Sequence, residues 1–106
     1  MRRFASLRRT ADFGRLRQRG RRSATANLTV FRGPAGPRDE RPLVGITVSK
    51  SVGTAVVRNR LRRRIAASLH ELLSSQARMR LLVLARPSAA ALPYGALRDE
   101  LRAVLA

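Results

Sequence analysis

The spacing of apolar residues predicts most of the chain's elements. From Ser23 to Phe31 the sequence SATANLTVF alternates, with Ala24, Ala26, Leu28 and Val30 on one side. Thr25, Asn27, Thr29 and Phe31 fall on the other, the pattern of a half-buried strand. PLVGITVSK, residues 42–50, alternates again: Val44, Ile46 and Val48 face a core, and Gly45, Thr47 and Ser49 face away. Between them, RGPAGPRDERP holds two glycines and three prolines and reads as a solvated loop over 33–42. The strands flanking this loop are expected to pair antiparallel, as a hairpin with a long connection.

The period then changes. In SVGTAVVRNRLRRRIAASLHELLSS, Val57, Leu61, Ile65, Leu69 and Leu72 recur at helical spacing, predicting the longest helix. MRLLVLARP is a short apolar run ended by Pro87 and reads as a buried strand. LPYGALRDELRAVLA predicts a closing helix with Pro93 near its first turn. Its buried face would be Tyr94, Leu97, Leu101, Val104 and Leu105. Near the start, TADFGRLRQRG predicts a short helix capped by Thr10 and stopped by Gly20, with Phe13 and Leu16 on one face. Residues 1–9 are basic and expected to be loose. The order helix, strand, strand, helix, strand, helix predicts an α+β fold: a single small domain over 1–106, with a mixed sheet packed by helices. The long helix would serve as a parallel crossover.

Charge decides the class of partner. The chain has 23 Lys and Arg against 6 Asp and Glu, a net charge of +17, and Lys50 is its single lysine. Such a chain repels itself and attracts polyanions, of which nucleic acid is the first candidate and an anionic membrane surface the second. There is no cysteine, which excludes a disulfide framework and a cysteine zinc site. No apolar run approaches a membrane-spanning length, and the opening MRRFASLRRTADF lacks the hydrophobic stretch of a secretory signal.

Stand-alone catalytic chemistry is not evident. His70, the one histidine, reads as a solvated or helix-end residue. The six acids form no carboxylate constellation, and Asp99 and Glu100 read as helix-face partners of Arg98 and Arg102. SKSVGT has glycine and lysine without phosphate-loop spacing. No cofactor, bound metal or small-molecule substrate is expected for the protein itself.

Binding chemistry, by contrast, is concentrated. Five arginines, Arg58, Arg60, Arg62, Arg63 and Arg64, fall within seven residues of the long helix. Solvated helix faces usually mix signs, yet no acid occurs between Arg41 and His70. Neutralising several phosphates releases counterions and offsets the self-repulsion of the free chain. Phe31 is the second signal, on the polar side of its strand beside Asn27. Two arrangements are open for it: stacking an unpaired base on an exposed sheet, or lying beneath the N-terminal helix. Phe13 has the same two options, with the core favoured.

At VGITVSKSVGTAVVRNRLRRRI the sequence resembles the protein subunit of bacterial ribonuclease P. The features are a strand from Val44 to Lys50, Gly53 in a turn, Ala55-Val56, and then Arg58-Asn59-Arg60 on a helix. Asp12-Phe13, an aromatic-ended strand at Phe31, LLVLARP and a closing helix starting near Tyr94 extend the likeness along nearly the whole chain. The resemblance implies a fold shared with a domain of a small-subunit ribosomal protein, including a left-handed βαβ crossover. General handedness would suggest the opposite hand. It also implies a cytoplasmic ribonucleoprotein in which a catalytic RNA, with Mg2+, removes the 5′ leader of precursor tRNA. The protein would be an accessory subunit of that endonuclease. By position, Lys50, Arg58, Asn59, Arg60, Arg62, Arg63 and Arg64 would face RNA, and Phe13, Arg17, Asn27 and Phe31 would belong to the leader cleft. Two positions depart from the family pattern: Arg17 stands where a second aromatic is common, and Ala66 where a basic residue is. The alternatives are a non-enzymatic RNA-binding module such as a small ribosomal protein, and a membrane-active basic peptide. The ordered motif argues against the former and the alternating strands against the latter.

Overall fold

The computed structural model describes residues 3–106. Eight principal elements follow in order: β1 (Ala5–Ser6), α1 (Thr10–Arg19), β2 (Arg21–Ala24), β3 (Leu28–Pro34), β4 (Leu43–Val48), α2 (Ala55–Leu72), β5 (Met79–Ala85) and α3 (Tyr94–Leu105). The strands form one mixed sheet in the order β1-β4-β5-β3-β2. β4 runs parallel to β5 and β3 antiparallel to it, so α2 is the predicted parallel crossover. The α+β class and the helix-packed mixed sheet are as expected.

β5 takes the centre because it is apolar on both faces. Leu81, Val83 and Ala85 join Leu28, Val30, Val44 and Val48 in a core covered by Leu61, Ile65 and Leu69 of α2 and Leu97 and Leu101 of α3. Leu82 faces the other way, into a smaller cluster with Leu7, Leu16 and Phe31 under α1. The helical stripe on α2 is therefore the core stripe, with Val57 and Leu72 packed at its ends. Thr54 caps this helix, its side chain accepting from the Val57 N–H at 3.4 Å. Gly53 precedes it at φ 153°, a conformation that L side chains rarely adopt, which accounts for the glycine in the turn.

Four expectations are corrected. First, β3 and β4 do not pair as a hairpin, because β5 inserts between them and uses both of its apolar faces. Second, SATANLTVF is not one strand. Thr25 turns the chain: its N–H donates to the Leu28 carbonyl at 2.8 Å and its Oγ1 accepts from the Leu28 N–H at 3.0 Å. β2 and β3 are consequently a tight hairpin, and β3 continues to Pro34 opposite Met79, which shortens the 33–42 loop. Third, the segment expected to be loose is packed from Phe4 to Leu7. These two side chains are buried in the two different clusters, and the Ala5 and Leu7 N–H groups donate to the Pro42 and Val44 carbonyls, both at 2.9 Å. Arg3, Arg8 and Arg9 are exposed, and Met1 and Arg2 lie outside the described residues. Fourth, Thr10 is the first helical residue rather than the cap; Arg9 holds the cap position without a side-chain bond.

Candidate RNA interface

The arginine run begins one turn into α2. Burial of Leu61, Ile65 and Leu69 fixes the helix roll, so Arg60 and Arg63 are exposed and Arg58, Arg62 and Arg64 lie partly covered at the flanks. Among the described residues, none of the five makes an ion pair. Two are nevertheless oriented. Arg62 Nη1 donates to Asn59 Oδ1 at 3.0 Å, and Arg64 Nη1 donates to the Leu92 carbonyl at 3.2 Å. Asn59 thus positions an arginine within the motif, and Arg64 ties α2 to the turn before α3. Arg58 has a buried Nε without a partner. Lys50 is exposed in a short 3-10 helix, Lys50–Val52, ahead of α2. Val56, on the first turn of α2, is 68% exposed.

Five of the six acids are engaged with other residues, and Glu40 is exposed in the loop after β3. Arg80 is gripped by Asp39 (Nε to Oδ2 2.8 Å, Nη2 to Oδ1 3.1 Å) and by Asp12 (3.1 Å). The Arg80 hydrogen bond holds the Asp39 carboxyl below its usual range; desolvation opposes this, and the Gly36 N–H and the charges of Arg80 and Arg78 reinforce it. Asp99 contacts Arg98 and Arg102, at 3.7 and 3.5 Å, as the sequence suggested. Glu100 instead accepts from Asn27, from its N–H at 3.3 Å and its Nδ2 at 3.2 Å. Glu71 accepts from the Tyr94 hydroxyl, and His70 Nδ1 accepts from the Arg3 N–H. These placements leave the exposed side of α2 from Arg58 to Arg64 without an acidic side chain. The described residues contain no group of three or more acidic, histidine or cysteine side chains suited to a metal.

A cleft of about 290 Å³ opens where β1 ends and exposes the edge of β4. Its walls include Phe4, Leu7, Phe13, Gly45, Arg62 and Arg63. Gly45 matters here. A Cβ at that position would come within 2.7 Å of Phe13 Cε1, so the glycine lets the Phe13 ring lie against the strand. The structure therefore brings Phe13 together with two arginines of α2. Arg17 is exposed four residues after Phe13 on the same side of α1. Phe31 is only 8% exposed, beneath α1 with Leu7, Leu16 and Leu82, which is the covered arrangement of the two considered. Asn27 sits in the β2–β3 turn, bonded to Glu100 of α3, away from the residues that line the cleft. Leu7 and Phe4 of the cleft wall escaped sequence reasoning because surrounding arginines mask their spacing.

The sequence family described as Ribonuclease P matches residues 1–106. The chain is 40% identical over 103 residues to the ribonuclease P protein component of Mycobacterium sp. (strain KMS), covering 92% of this chain and 83% of that one. It is 39% identical over 95 residues to the component from Acidothermus cellulolyticus, covering 89% and 79%. The RNase P protein of Staphylococcus aureus superposes with a TM-score of 0.79 at 27% identity, over 94% of this chain and 91% of that one. The RNase P protein from Thermotoga maritima gives 0.80 at 20% identity over 94% of both chains, a likeness that speaks to the fold alone. With a family match over its whole length and this sheet order around an Arg-Asn-Arg helix, the chain belongs to the ribonuclease P protein component family.

Proposed function

We propose that this chain is the accessory protein subunit of a cytoplasmic ribonuclease P. In this reading it binds the catalytic RNA through α2 and the 5′ leader of precursor tRNA through the cleft beside Phe13. The observation that carries the reading is the positive face of α2, five arginines without an acidic partner, meeting a half-apolar cleft at Arg62 and Arg63. RNA phosphates supply the counter-charge that the protein lacks, and each contact releases a condensed cation. Phe13, half-buried and framed by arginines, offers a face on which an unpaired leader base can stack. Lys50, Arg58 and Arg60 extend the same positive surface.

The hydrolytic step is assigned to the RNA. The magnesium ions implied by the family do not fit a protein site here, because Asp12 and Asp39 are tied to Arg80 and no other ligand group is assembled among the described residues. The protein's own contribution is to screen backbone repulsion in the folded RNA and to hold leader nucleotides, which favours precursor over mature tRNA. The test compares both tRNA forms with the assembled complex. Phe13→Ala and Arg63→Ala should weaken precursor binding several-fold more than mature tRNA binding. Equal losses on the two would overturn the leader assignment.

A further inference from the structure

A second basic groove lies on the opposite flank of α1. Phe13 and Arg17 share the flank nearest the β4 edge, whereas Asp12, Arg15 and Arg19 share the other. There α1 faces the end of β3 and the loop after it, and two cavities of about 570 and 410 Å³ adjoin. They share Asp12, Arg15, Pro37 and Arg80 as lining residues. Arg8, Arg9, Arg15, Arg19 and Arg38 also line this trough, and none of these five side chains has a hydrogen-bond or ion-pair partner among the described residues. The two acids of the trough share one arginine, Arg80, so that triad leaves a single negative charge against the unpaired arginines.

The floor has a different character. Leu16 and the Gly33–Pro34–Ala35–Gly36 backbone line most of it, and the Arg80 guanidinium lies against Gly36. The loop is also held in shape. The Gly36 N–H donates to Asp39 Oδ2 at 2.8 Å, the Asp39 N–H donates to the Gly36 carbonyl at 3.2 Å, and Arg78 donates to the carbonyls of Asp39 and Gly36. A shaped apolar floor bordered by unpaired guanidinium groups suits one strand of nucleic acid, with bases on the floor and phosphates on the arginines. A duplex presents its phosphates but keeps its bases stacked inside.

We propose that this trough is a second single-stranded RNA site, distinct from α2 and adjoining the cleft at Phe13 across Ser6 and Leu7. The proposal rests on the RNA-binding reading above and adds a location to it. The strand has two sources with the same chemistry: an unpaired segment of the catalytic RNA, or leader nucleotides further from the cleavage site.

The test uses the full chain and matched substitutions at exposed arginines in the last turns of two helices, Arg19→Glu in the trough and Arg102→Glu on α3. The probes are a labelled oligouridylate of about ten nucleotides and a duplex of equal length. Arg19→Glu should weaken oligouridylate binding about ten-fold more than Arg102→Glu and lower the salt slope by about one. Arg19→Lys should keep the slope. Equal losses for Arg19→Glu and Arg102→Glu, or preference of the trough for the duplex, would overturn the proposal. With catalytic RNA alone, an Arg19-specific loss assigns the strand to that RNA; a loss seen only with long-leader precursor assigns it to the leader. Failure of the wild-type chain to bind catalytic RNA would overturn the functional reading itself. Wild-type binding combined with no Arg19-specific loss would overturn only the second site.

Discussion

Replacing Gly45 by alanine tests the packing that builds the cleft. Gly45 pairs with Leu82 in the sheet and lies under the Phe13 ring. A Cβ there would stand 2.7 and 2.8 Å from Phe13 Cε1 and Cζ, and 3.3 Å from Leu82 Cδ1. Carbon atoms settle at about 3.5–4.0 Å, so the ring must retreat by roughly 1 Å. Overpacking of this kind costs about 1–3 kcal/mol. Against it, alanine restricts the unfolded chain and by itself stabilises by about 0.4–1 kcal/mol where the backbone conformation allows it. The net expectation is a loss of about 0.5–2 kcal/mol. The sign depends on Phe13. In a Phe13→Ala background the obstacle is gone, and Gly45→Ala should be neutral or stabilising. Denaturant unfolding of the four proteins, compared at constant m, gives the coupling directly, expected at about 1–3 kcal/mol. Additive effects would refute the contact, and with it the explanation of why the motif carries glycine between Val44 and Ile46.

Three further outcomes follow from the same geometry. Arg60→Ala, removing an exposed and unpaired arginine, should weaken RNA binding and reduce the salt slope by about one; an unchanged slope would remove Arg60 from the phosphate contacts. Phe31→Ala should cost about 3–5 kcal/mol in denaturant unfolding, as for a core aromatic, and lower precursor and mature tRNA binding alike; a precursor-specific loss would place it in the cleft instead. Asp39→Asn should lower stability at neutral pH by about 1 kcal/mol, since solvent screens part of the Arg80 pair. The Asp39 carboxyl is held below its ordinary value of 3.8, so its contribution is present above that pH and lost as pH falls through the lowered value. The gap between wild type and Asp39→Asn should therefore narrow as pH falls below 3.8, and a gap independent of pH there would contradict the pairing.

The parts legible in the sequence were those where one local pattern decided the outcome. The stripe Val57, Leu61, Ile65, Leu69 set both the existence and the roll of α2, and the double-sided apolar run in β5 announced a buried strand. Strand neighbours were less legible, because alternation in β3 and β4 reports a buried face but not which strand lies beside it. The break at Thr25 depends on a side-chain bond back to Leu28, and a continuing Ala/Thr alternation hides it. β1 was obscured by the arginines around Phe4 and Leu7, whose burial requires the edge of β4 to be present. The arginine face of α2 was readable as chemistry, but the division of labour within it was not. That Arg64 is tied to the Leu92 carbonyl and Arg62 to Asn59 emerges only from the fold. For Phe31 the alternation gave its side of the strand correctly; what it lacked was the helix that covers that side.

The central claim is that this chain assists an RNA that performs the cleavage. Its most direct test is reconstitution of precursor tRNA processing with the catalytic RNA from the same source, at limiting magnesium, with and without the protein. The account predicts that the protein raises the cleavage rate at low magnesium and tightens binding of precursor relative to mature tRNA. If neither the rate nor the precursor affinity changes when the protein is added, the account is contradicted.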